Sequence, residues 1–341
     1  MRRGKLIAYL DQNKWVQLLV KDQGAYPGSG SNYDLLRKLK EAADVIFPLS
    51  ATHYLETWHR SDWQSRWALS SVMHDLSDFT TVAPVQRLQE AEVACAVLRK
   101  LASRKLRPIP SKGLIGYGVD HAFASKYGRF RYVESIETEG APEGAPVDPG
   151  DSRVDRIREL ANEWEYQWYS LAFLPISGDE FGPDRVGQHR RGRRFAEDEA
   201  ARRAQLHAAG GKEMLARTLI TEDFNDLLDD INEICEIANV DPHGLLERRE
   251  DIYSFVLDVP TRHVYHTLRS SRYMNPQQAW HQHDLADFLA LAVAIPYCDV
   301  VVTERHWRHV AIQAGLDKRY NTQILHKLDD AVALLQSLTD H

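Results

Sequence analysis

Short apolar runs alternate with segments of helical spacing in the first and last thirds of the chain. Residues 5–10, apolar after Lys5, and residues 45–49 have the continuous apolar character expected of strands buried on both faces. Strands that alternate with helices predict a parallel β-sheet flanked by helices. The predicted strands cover residues 5–10, 45–49, 79–82, 300–303 and 323–325, and the predicted helices cover a segment opening at 11–13 and about residues 35–43, 51–76, 86–102, 285–295, 307–314 and 328–338.

The middle of the chain has a different pattern. Helical spacing is found over residues 154–171, 195–208 and 212–240. Residues 139–151 contain the near-repeat GAPEGAP and too little apolar surface to pack, which predicts a mobile linker near residues 137–151. The predicted fold class is α/β, with a parallel-sheet domain formed by residues 1–100 and 276–341 and interrupted by a mainly α-helical insertion at residues 101–275.

Length and composition narrow the class of protein. The chain has 341 residues, enough for one elaborated domain or two. Its hydrophobic fraction of 43% and charged fraction of 27% are close to average, which excludes wholesale disorder and a fibrous repeat. The formal net charge of -7 has the wrong sign for a protein that holds nucleic acid on a uniformly basic surface. A nucleic-acid role therefore requires a local basic patch or a metal ion.

Several other classes lack support in the sequence. Cys95, Cys235 and Cys298 are far apart, so neither a disulfide scaffold nor a cysteine zinc site is expected. Asp11 ends the first apolar run short of a signal-peptide core, and no run reaches the roughly 20 apolar residues of a membrane span. We expect a cytoplasmic protein without membrane association. A Walker A loop, a GxGxxG fingerprint and a catalytic serine or cysteine are not evident.

Acidic residues stand at equivalent places in the α/β pattern, just beyond a strand or in the first turns of a helix. In open parallel sheets this edge is where sites form. Clustered carboxylates repel one another unless protons or a cation neutralise them, and oxygen-only ligands favour hard ions. The cluster therefore predicts bound Mg2+ or Mn2+, which would orient a phosphodiester and activate water for its hydrolysis. The candidate catalytic and metal-binding residues are Asp11, Glu56, Asp284, Asp287 and Glu304.

Three segments resemble successive motifs of the PIN-like superfamily of metal-dependent nucleases. They read LIAYLDQN, LSATHYLE and DLADFLALAVAIPYCDVVVTE, and the resemblance covers roughly residues 1–100 and 276–341. Asp11 matches the first acid after strand one, and Glu56 matches the acid on the helix after strand two. Glu304 matches the last acid, beside the small polar Thr303.

The third acid of the PIN-like pattern has two candidates in this chain. Asp287 stands sixteen residues before Thr303, the separation usual in the family. Asp284 lies one helical turn earlier and shares the face of Asp287. We rank Asp287 as the first candidate for the third acid and retain Asp284 as the second.

The resemblance implies an endoribonuclease that uses Mg2+ or Mn2+, with RNA a more usual substrate than DNA. Family members often act as toxins or RNA-processing enzymes and commonly dimerise, so a homodimer or a protein partner is also implied. Asn13 and Thr303 would not bind the metal ion themselves but would hold its carboxylate ligands in position. Two features depart from the family: the last acid is Glu304 where Asp is commoner, and the insertion is larger than a compact domain of this class carries.

Each acid also has an ordinary structural explanation. Asp11 or Asn13 would cap the helix that follows, because both residue types are favoured there. Glu56 would pair with Arg60, four residues later on the same helix. Asp284 is a suitable N-cap, but a cap explains only one of two acids in that turn. The order of the acids along the chain favours the catalytic interpretation.

Basic and aromatic residues offer candidate nucleic-acid contacts. Arg60 and Arg66 alternate with tryptophans that would stack bases, although aromatic residues at helical spacing more often pack in a core. A denser basic cluster would guide a nucleic-acid backbone, or would form a solvated helix start balanced by the acids at residues 197–199. This cluster consists of Arg190, Arg191, Arg193 and Arg194. Surface or supporting positions, rather than metal ligation, are expected for His281, His283, His306 and His309.

Two other functions fit part of the pattern. A binding or scaffolding protein on a catalytically weakened nuclease fold would keep the acids as relics or caps, and Glu304 and the large insertion motivate this alternative. A metal-dependent phosphatase of small phosphoesters also begins with Asp after its first strand, but the DxD pattern of such enzymes is missing at residues 11–13.

Overall fold

The computed structural model describes residues 5–24, 32–42, 44–60, 62–102, 113–124 and 185–339. The linker predicted near residues 137–151 and the helix predicted at residues 154–171 lie outside them. None of the described helices combines the length and the apolar character that a bilayer crossing needs.

A four-stranded parallel sheet forms the centre of the fold, which confirms the predicted α/β class. Its order is β2-β1-β5-β6, so the chain runs from β1 to one neighbour and later returns to the other side of β1. The register pairs Ala8 with Val300 and Leu10 with Val302. The strands are β1 (Leu6–Leu10), β2 (Val45–Ile46), β3 (Thr80–Val82), β4 (Ile115–Tyr117), β5 (Val300–Val302) and β6 (Gln323–Leu325).

The third predicted strand departs from a purely parallel sheet. β3 pairs antiparallel with β4, which the sequence pattern did not predict. An isolated parallel bridge between Leu49 and Thr81 joins this pair to the segment after β2. The predicted parallel pairing of β3 is therefore found only at the Leu49–Thr81 bridge among the described residues, and the regular pairing of β3, with β4, is antiparallel.

Helices surround the sheet. Among the described residues they are α1 (Gln12–Gly24), α2 (Asn32–Glu41), α3 (Ala51–His59), α4 (Trp63–Ser77), α5 (Val85–Ala102), α6 (Gly118–Ala122), α7 (Arg185–Asn225), α8 (Leu228–Ala238), α9 (Pro242–Leu245), α10 (Arg249–Asp258), α11 (Pro260–Met274), α12 (Asp284–Tyr297), α13 (Arg305–Gln313), α14 (Leu316–Tyr320) and α15 (Leu328–Thr339).

Two predicted helices are each divided in the structure. The single helix expected over residues 51–76 is wrong, because Arg60 adopts an extended conformation with ψ 126. Asp62 then caps α4 by accepting a hydrogen bond from Ser65 N at 2.7 Å. The helix expected over residues 212–240 is also divided, since α7 ends at Asn225 and α8 begins at Leu228.

Both faces of the sheet are buried, which explains the continuous apolar runs. Successive residues of β1 enter opposite cores: Ala8 and Leu10 belong to one, and Tyr9 to the other. The core around Tyr9 also contains Leu219 of α7 and Leu268 of α11. Helices of the predicted insertion therefore cover one face of the sheet.

Candidate active site at the carboxyl edge of the sheet

Asp11 follows β1 and Thr303 follows β5, so the two residues meet where the strand order reverses. Asp11 N donates to Val302 O at 2.9 Å, which extends the strand pairing by one residue. Thr303 Oγ1 donates to Asp11 Oδ2 at 3.0 Å, and Gln12 N donates to Asp11 Oδ1 at 2.8 Å. In doubly wound sheets such a reversal leaves a crevice at the carboxyl ends of the strands, where ligands bind.

Helix α3 carries Glu56 to the same edge, and a buried histidine fixes the start of this helix. Ser50 N donates to His53 Nδ1 at 2.8 Å, and His53 Nε2 faces Leu10 O at 2.9 Å. Because Nδ1 accepts, the ring proton is on Nε2, which donates to the carbonyl. Burial lowers the pKa of His53 to about 3, so the ring stays neutral. The hydrogen bond from His53 to Leu10 O ties α3 to the end of β1, so Glu56, one turn later on α3, lies near Asp11.

Asp287 lies in the first turn of α12 and is oriented by a buried tryptophan. Trp307 Nε1 donates to Asp287 Oδ2 at 3.0 Å. The Trp307 ring centroid lies 5.3 Å from that of Phe288 and 4.7 Å from the guanidinium carbon of Arg272. Because Trp307 is held on both sides, its N–H is a fixed donor to Asp287.

Asp284, the other candidate for the third acid, has structural partners. Arg272 Nη2 donates to Asp284 Oδ1 at 2.6 Å, and His281 N donates to Asp284 Oδ2 at 2.9 Å. Both charged side chains are buried. Removing one partner of a buried ion pair leaves an uncompensated charge in the interior. Asp284 is therefore committed to the ion pair that joins α11 to α12. Asp287 is the acid of the two that acts electrostatically on Glu56.

Glu304 lies at the outer side of the site and Lys14 at its inner side. Asn13 Nδ2 donates to Glu304 Oε1 at 3.2 Å, and Glu304 is exposed. Lys14 is buried, and its Nζ donates to His326 O at 2.9 Å. The charge of Lys14 acts to lower the pKa of Asp11. Lys14 is therefore a built-in positive charge that partly offsets the acids.

The acids perturb one another electrostatically. Burial, followed by the charges of Asp11, Asp287 and Glu304, raises the pKa of Glu56 to about 8. Burial and the charge of Asp11 raise the pKa of Asp287 to about 8, although the hydrogen bond from Trp307 opposes this rise. Burial also raises the pKa of Asp11, against the hydrogen bonds that it accepts. The structure thus brings four distant acids into one cluster, in which burial and mutual repulsion favour the protonated forms of Glu56 and Asp287.

The donor atoms of this cluster fit a hard divalent cation in kind and in charge. They are carboxylate oxygens, and the buried Oδ1 atom of Asn13 beside them accepts no hydrogen bond from the described part of the chain. As the side chains stand, no three His, Cys, Asp or Glu residues among those described are grouped closely enough to hold a metal ion together. Carboxylates repel one another when no cation is bound, so their side chains are not expected to form a complete metal site in advance. The cluster matches a divalent cation in the type and charge of its donor atoms.

The basic and aromatic candidates occupy different surroundings. Arg66 is buried, with its guanidinium carbon 5.4 Å from the centroid of the Trp58 ring, so both side chains take part in packing. Arg60 Nη1 donates to Ser65 Oγ at 2.7 Å. Trp67 is exposed, whereas the side chain of Trp63 lies outside the described residues. His281, His283 and His309 are exposed and His306 is half-buried; Arg190, Arg191, Arg193 and Arg194 are all exposed on α7.

Three positioning residues were missed in the sequence. Lys14, His53 and Trp307 hold the acids or offset their charge, yet each fits an ordinary helix pattern. The available signal was spacing: Lys14 lies three residues after Asp11, and His53 lies three residues before Glu56. For Trp307, three residues after Glu304, the spacing indicates proximity to the site but not a bond to Asp287.

Comparison of the chain with protein-family models, curated proteins and solved structures finds no match. The acids at the carboxyl edge and the residues that hold them are therefore the features of the chain that bear on its function.

Proposed function

We propose that this protein is a metal-dependent nuclease that hydrolyses phosphodiester bonds in RNA. The observation that carries the proposal is the gathering of Asp11, Glu56, Asp287 and Glu304 where the strand order reverses. Grouping buried acids opposes folding, and carboxyl groups with strongly raised pKa values in a crevice are typical of functional sites. Oxygen donors of this kind select Mg2+ or Mn2+.

The order of the acids supports the PIN-like class in particular. One acid follows β1, one lies on the helix after β2, one lies on the helix before β5, and one follows β5. This is the order of the motifs that the sequence resembles. RNA is proposed as the substrate because members of that class are usually ribonucleases.

The residues of the site divide the work of hydrolysis. A divalent cation supplies a Lewis acid and a bound water of lowered pKa when it is present. Asp11, held by Thr303 and Gln12, and Asp287, held by Trp307, are the acids with fixed orientations. A positive charge in the crevice would offset the burial and the repulsion that raise the pKa of Glu56 and Asp287, so both carboxyl groups would release their protons.

Glu56 is proposed as the general base. Its carboxylate has no hydrogen-bond partner among the described residues, in contrast to the fixed carboxylates of Asp11 and Asp287. A free carboxylate can accept the proton of an attacking water, which is the task of a general base.

The test is cleavage of labelled oligonucleotides by the purified chain. We expect single-stranded RNA to be cleaved in Mn2+ or Mg2+, and EDTA to stop cleavage, because the acids cannot act on a phosphodiester without a cation. DNA of the same sequence serves as the comparison. No cleavage of either oligonucleotide with metal would remove the proposal, and cleavage of DNA alone would overturn the choice of substrate.

A scaffold on a weakened nuclease fold is the second candidate. The exposed position of Glu304 and the absence, among the described residues, of three converged metal-binding side chains favour it. The two functions differ in metal binding. A cation bound by the native state raises the melting temperature, whereas acids kept only as caps give no such response.

A further inference from the structure

A basic segment of α7 lies beside the acidic cluster and turns its arginines away from the protein. His189, Gly192 and Phe195 recur at helical spacing and face neighbouring elements. Arg190 and Arg193, like the two other arginines of the segment, are exposed between them. The helix therefore presents a row of guanidinium groups to solvent.

Two close contacts place this segment next to the acids. The His189 ring centroid lies 4.3 Å from that of His59, which follows Glu56 by one turn of α3. Gly192 packs so tightly on the loop before α12 that a Cβ atom there would lie 2.5 Å from Gln282 O. The segment thus borders both the helix that carries Glu56 and the loop that leads to Asp287.

The segment is held in this position by further contacts. The Phe195 and Trp280 rings meet edge to face, with centroids 6.0 Å apart. Arg203, farther along α7, donates from Nη1 to the carbonyl oxygens of Arg272 at 3.2 Å and Gln278 at 2.7 Å. The guanidinium groups at residues 190–194 are therefore carried on a fixed helix.

The acids that follow the arginines do not neutralise the row. Glu199 is buried and accepts two hydrogen bonds from Arg269, at 2.9 and 3.0 Å. Asp198 pairs with Arg194 at 3.6 Å, but both side chains are exposed and the pair is weak. Arg190 and Arg193 have no ion-pair partner among the described residues, and the exposed Glu197, four residues after Arg193, forms no ion pair with it. Their charge is available to an anionic partner.

We infer that Arg190 and Arg193 bind the phosphate backbone of a single-stranded nucleic acid and deliver it to the acidic cluster, an inference that rests on the proposed nuclease function. Arg193 lies one turn from His189 and so on the flank nearest Glu56, and Arg190 adjoins it. Guanidinium groups pair well with phosphate oxygens. A single strand can bend a phosphodiester into the crevice that holds the half-buried Glu56 and Asp287, which a stiff duplex cannot do.

The test is the salt dependence of RNA binding by the whole chain, with EDTA present to prevent cleavage. The probe is a labelled single-stranded oligouridylate, compared with a duplex RNA of equal length. For Arg190→Gln combined with Arg193→Gln we expect roughly tenfold weaker binding and a log–log salt slope smaller by about 1.4, since each phosphate contact on a single strand contributes about 0.7. The matched control combines Arg37→Gln with Arg217→Gln, two exposed arginines, one on α2 and one on the part of α7 beyond the non-helical Gly211.

Unchanged binding in the first double variant, or an equal loss in the control, would overturn the inference. Equal affinity for the duplex would also contradict it. Cleavage by the wild-type chain with no effect of Arg190 and Arg193 would sink the inference and leave the proposed function standing. A salt slope that depends on Arg190 and Arg193, without any cleavage, would support the inference on nucleic-acid binding and contradict the proposed nuclease function.

Discussion

Asp287→Asn is expected to reduce Mn2+-dependent RNA cleavage by on the order of 1000-fold, because losing a metal-binding carboxylate removes several kcal/mol of transition-state stabilisation and each ~1.4 kcal/mol is tenfold. Asparagine keeps the shape of the side chain and an oxygen that can accept from Trp307. The loss therefore falls on charge and not on packing. Asp11→Asn is expected to have an effect of the same size. Initial rates at saturating substrate are the measurement.

The matched control for both variants is Asp330→Asn, which changes an exposed acid of α15. Its cleavage rate should equal that of the wild-type chain. Circular dichroism establishes that Asp287→Asn and Asp11→Asn are folded before rates are compared. Cleavage retained in both folded variants would remove the carboxylate mechanism.

Glu56→Gln is expected to stabilise the protein in EDTA at about pH 8. The pKa of Glu56 rises from an ordinary 4.5 to about 8 on folding, so between these values the folded state keeps a proton that the unfolded chain has released. The wild-type free energy of unfolding therefore falls as pH rises through this window, by up to about 1.4 kcal/mol per pH unit for each such group. Glutamine has no proton to lose, so the melting temperature of the variant should fall less.

Thermal unfolding at several pH values, with EDTA and with Mn2+, measures this effect. Mn2+ should restore the wild-type melting temperature at about pH 8 and should help Glu56→Gln less. Glu233→Gln, an exposed glutamate of α8, is the control and should follow the wild-type curve. A wild-type melting temperature that rises steadily over this pH window in EDTA would contradict the assigned burial and repulsion of Glu56.

The sheet could be predicted because its strands are buried on both faces. Runs such as residues 6–10 and 300–302 are apolar at every position, which few other elements require. The break between α3 and α4 could not be predicted, because Trp58 and Trp67 continue the helical spacing across it. The break depends on the extended Arg60 and on a single cap at Asp62. Strand β4 is three residues long, too short for alternation to be visible.

For the site, strand ends led to Asp11 and Glu304, since a residue just after a parallel strand has one edge to occupy. Glu56 and the acids at residues 284 and 287 were found from the first turns of helices and from the order of motifs that the chain resembles. The choice between Asp284 and Asp287 could not be made from spacing, because both share one helical face. It depends on Arg272, twelve residues earlier than Asp284, and on Trp307, twenty residues later than Asp287. Side-chain pairings of this kind arise from packing of whole helices and leave no periodic trace in the sequence.

The insertion also acquires a role that its sequence did not specify. Its helices cover the sheet face around Tyr9, and its first described turns border α3 and the start of α12. A segment that looked like an addition to a nuclease domain thus lies against the helix that carries Glu56 and the loop that leads to Asp287. On the account given above, residues 1–100 and 276–341 carry the acids and α7 carries the backbone-binding arginines.

Calorimetric titration of the metal-free chain with Mn2+ tests the central claim most directly, namely that distant acids share a cation at the carboxyl edge of the sheet. The wild-type chain should bind Mn2+ saturably near neutral pH and release protons as it does so, because burial and repulsion raise the pKa of Glu56 and Asp287 in the metal-free state. Asp11→Asn should abolish this binding and Asp330→Asn should leave it unchanged. No saturable binding by the wild-type chain, or equal binding by both variants, would contradict the account.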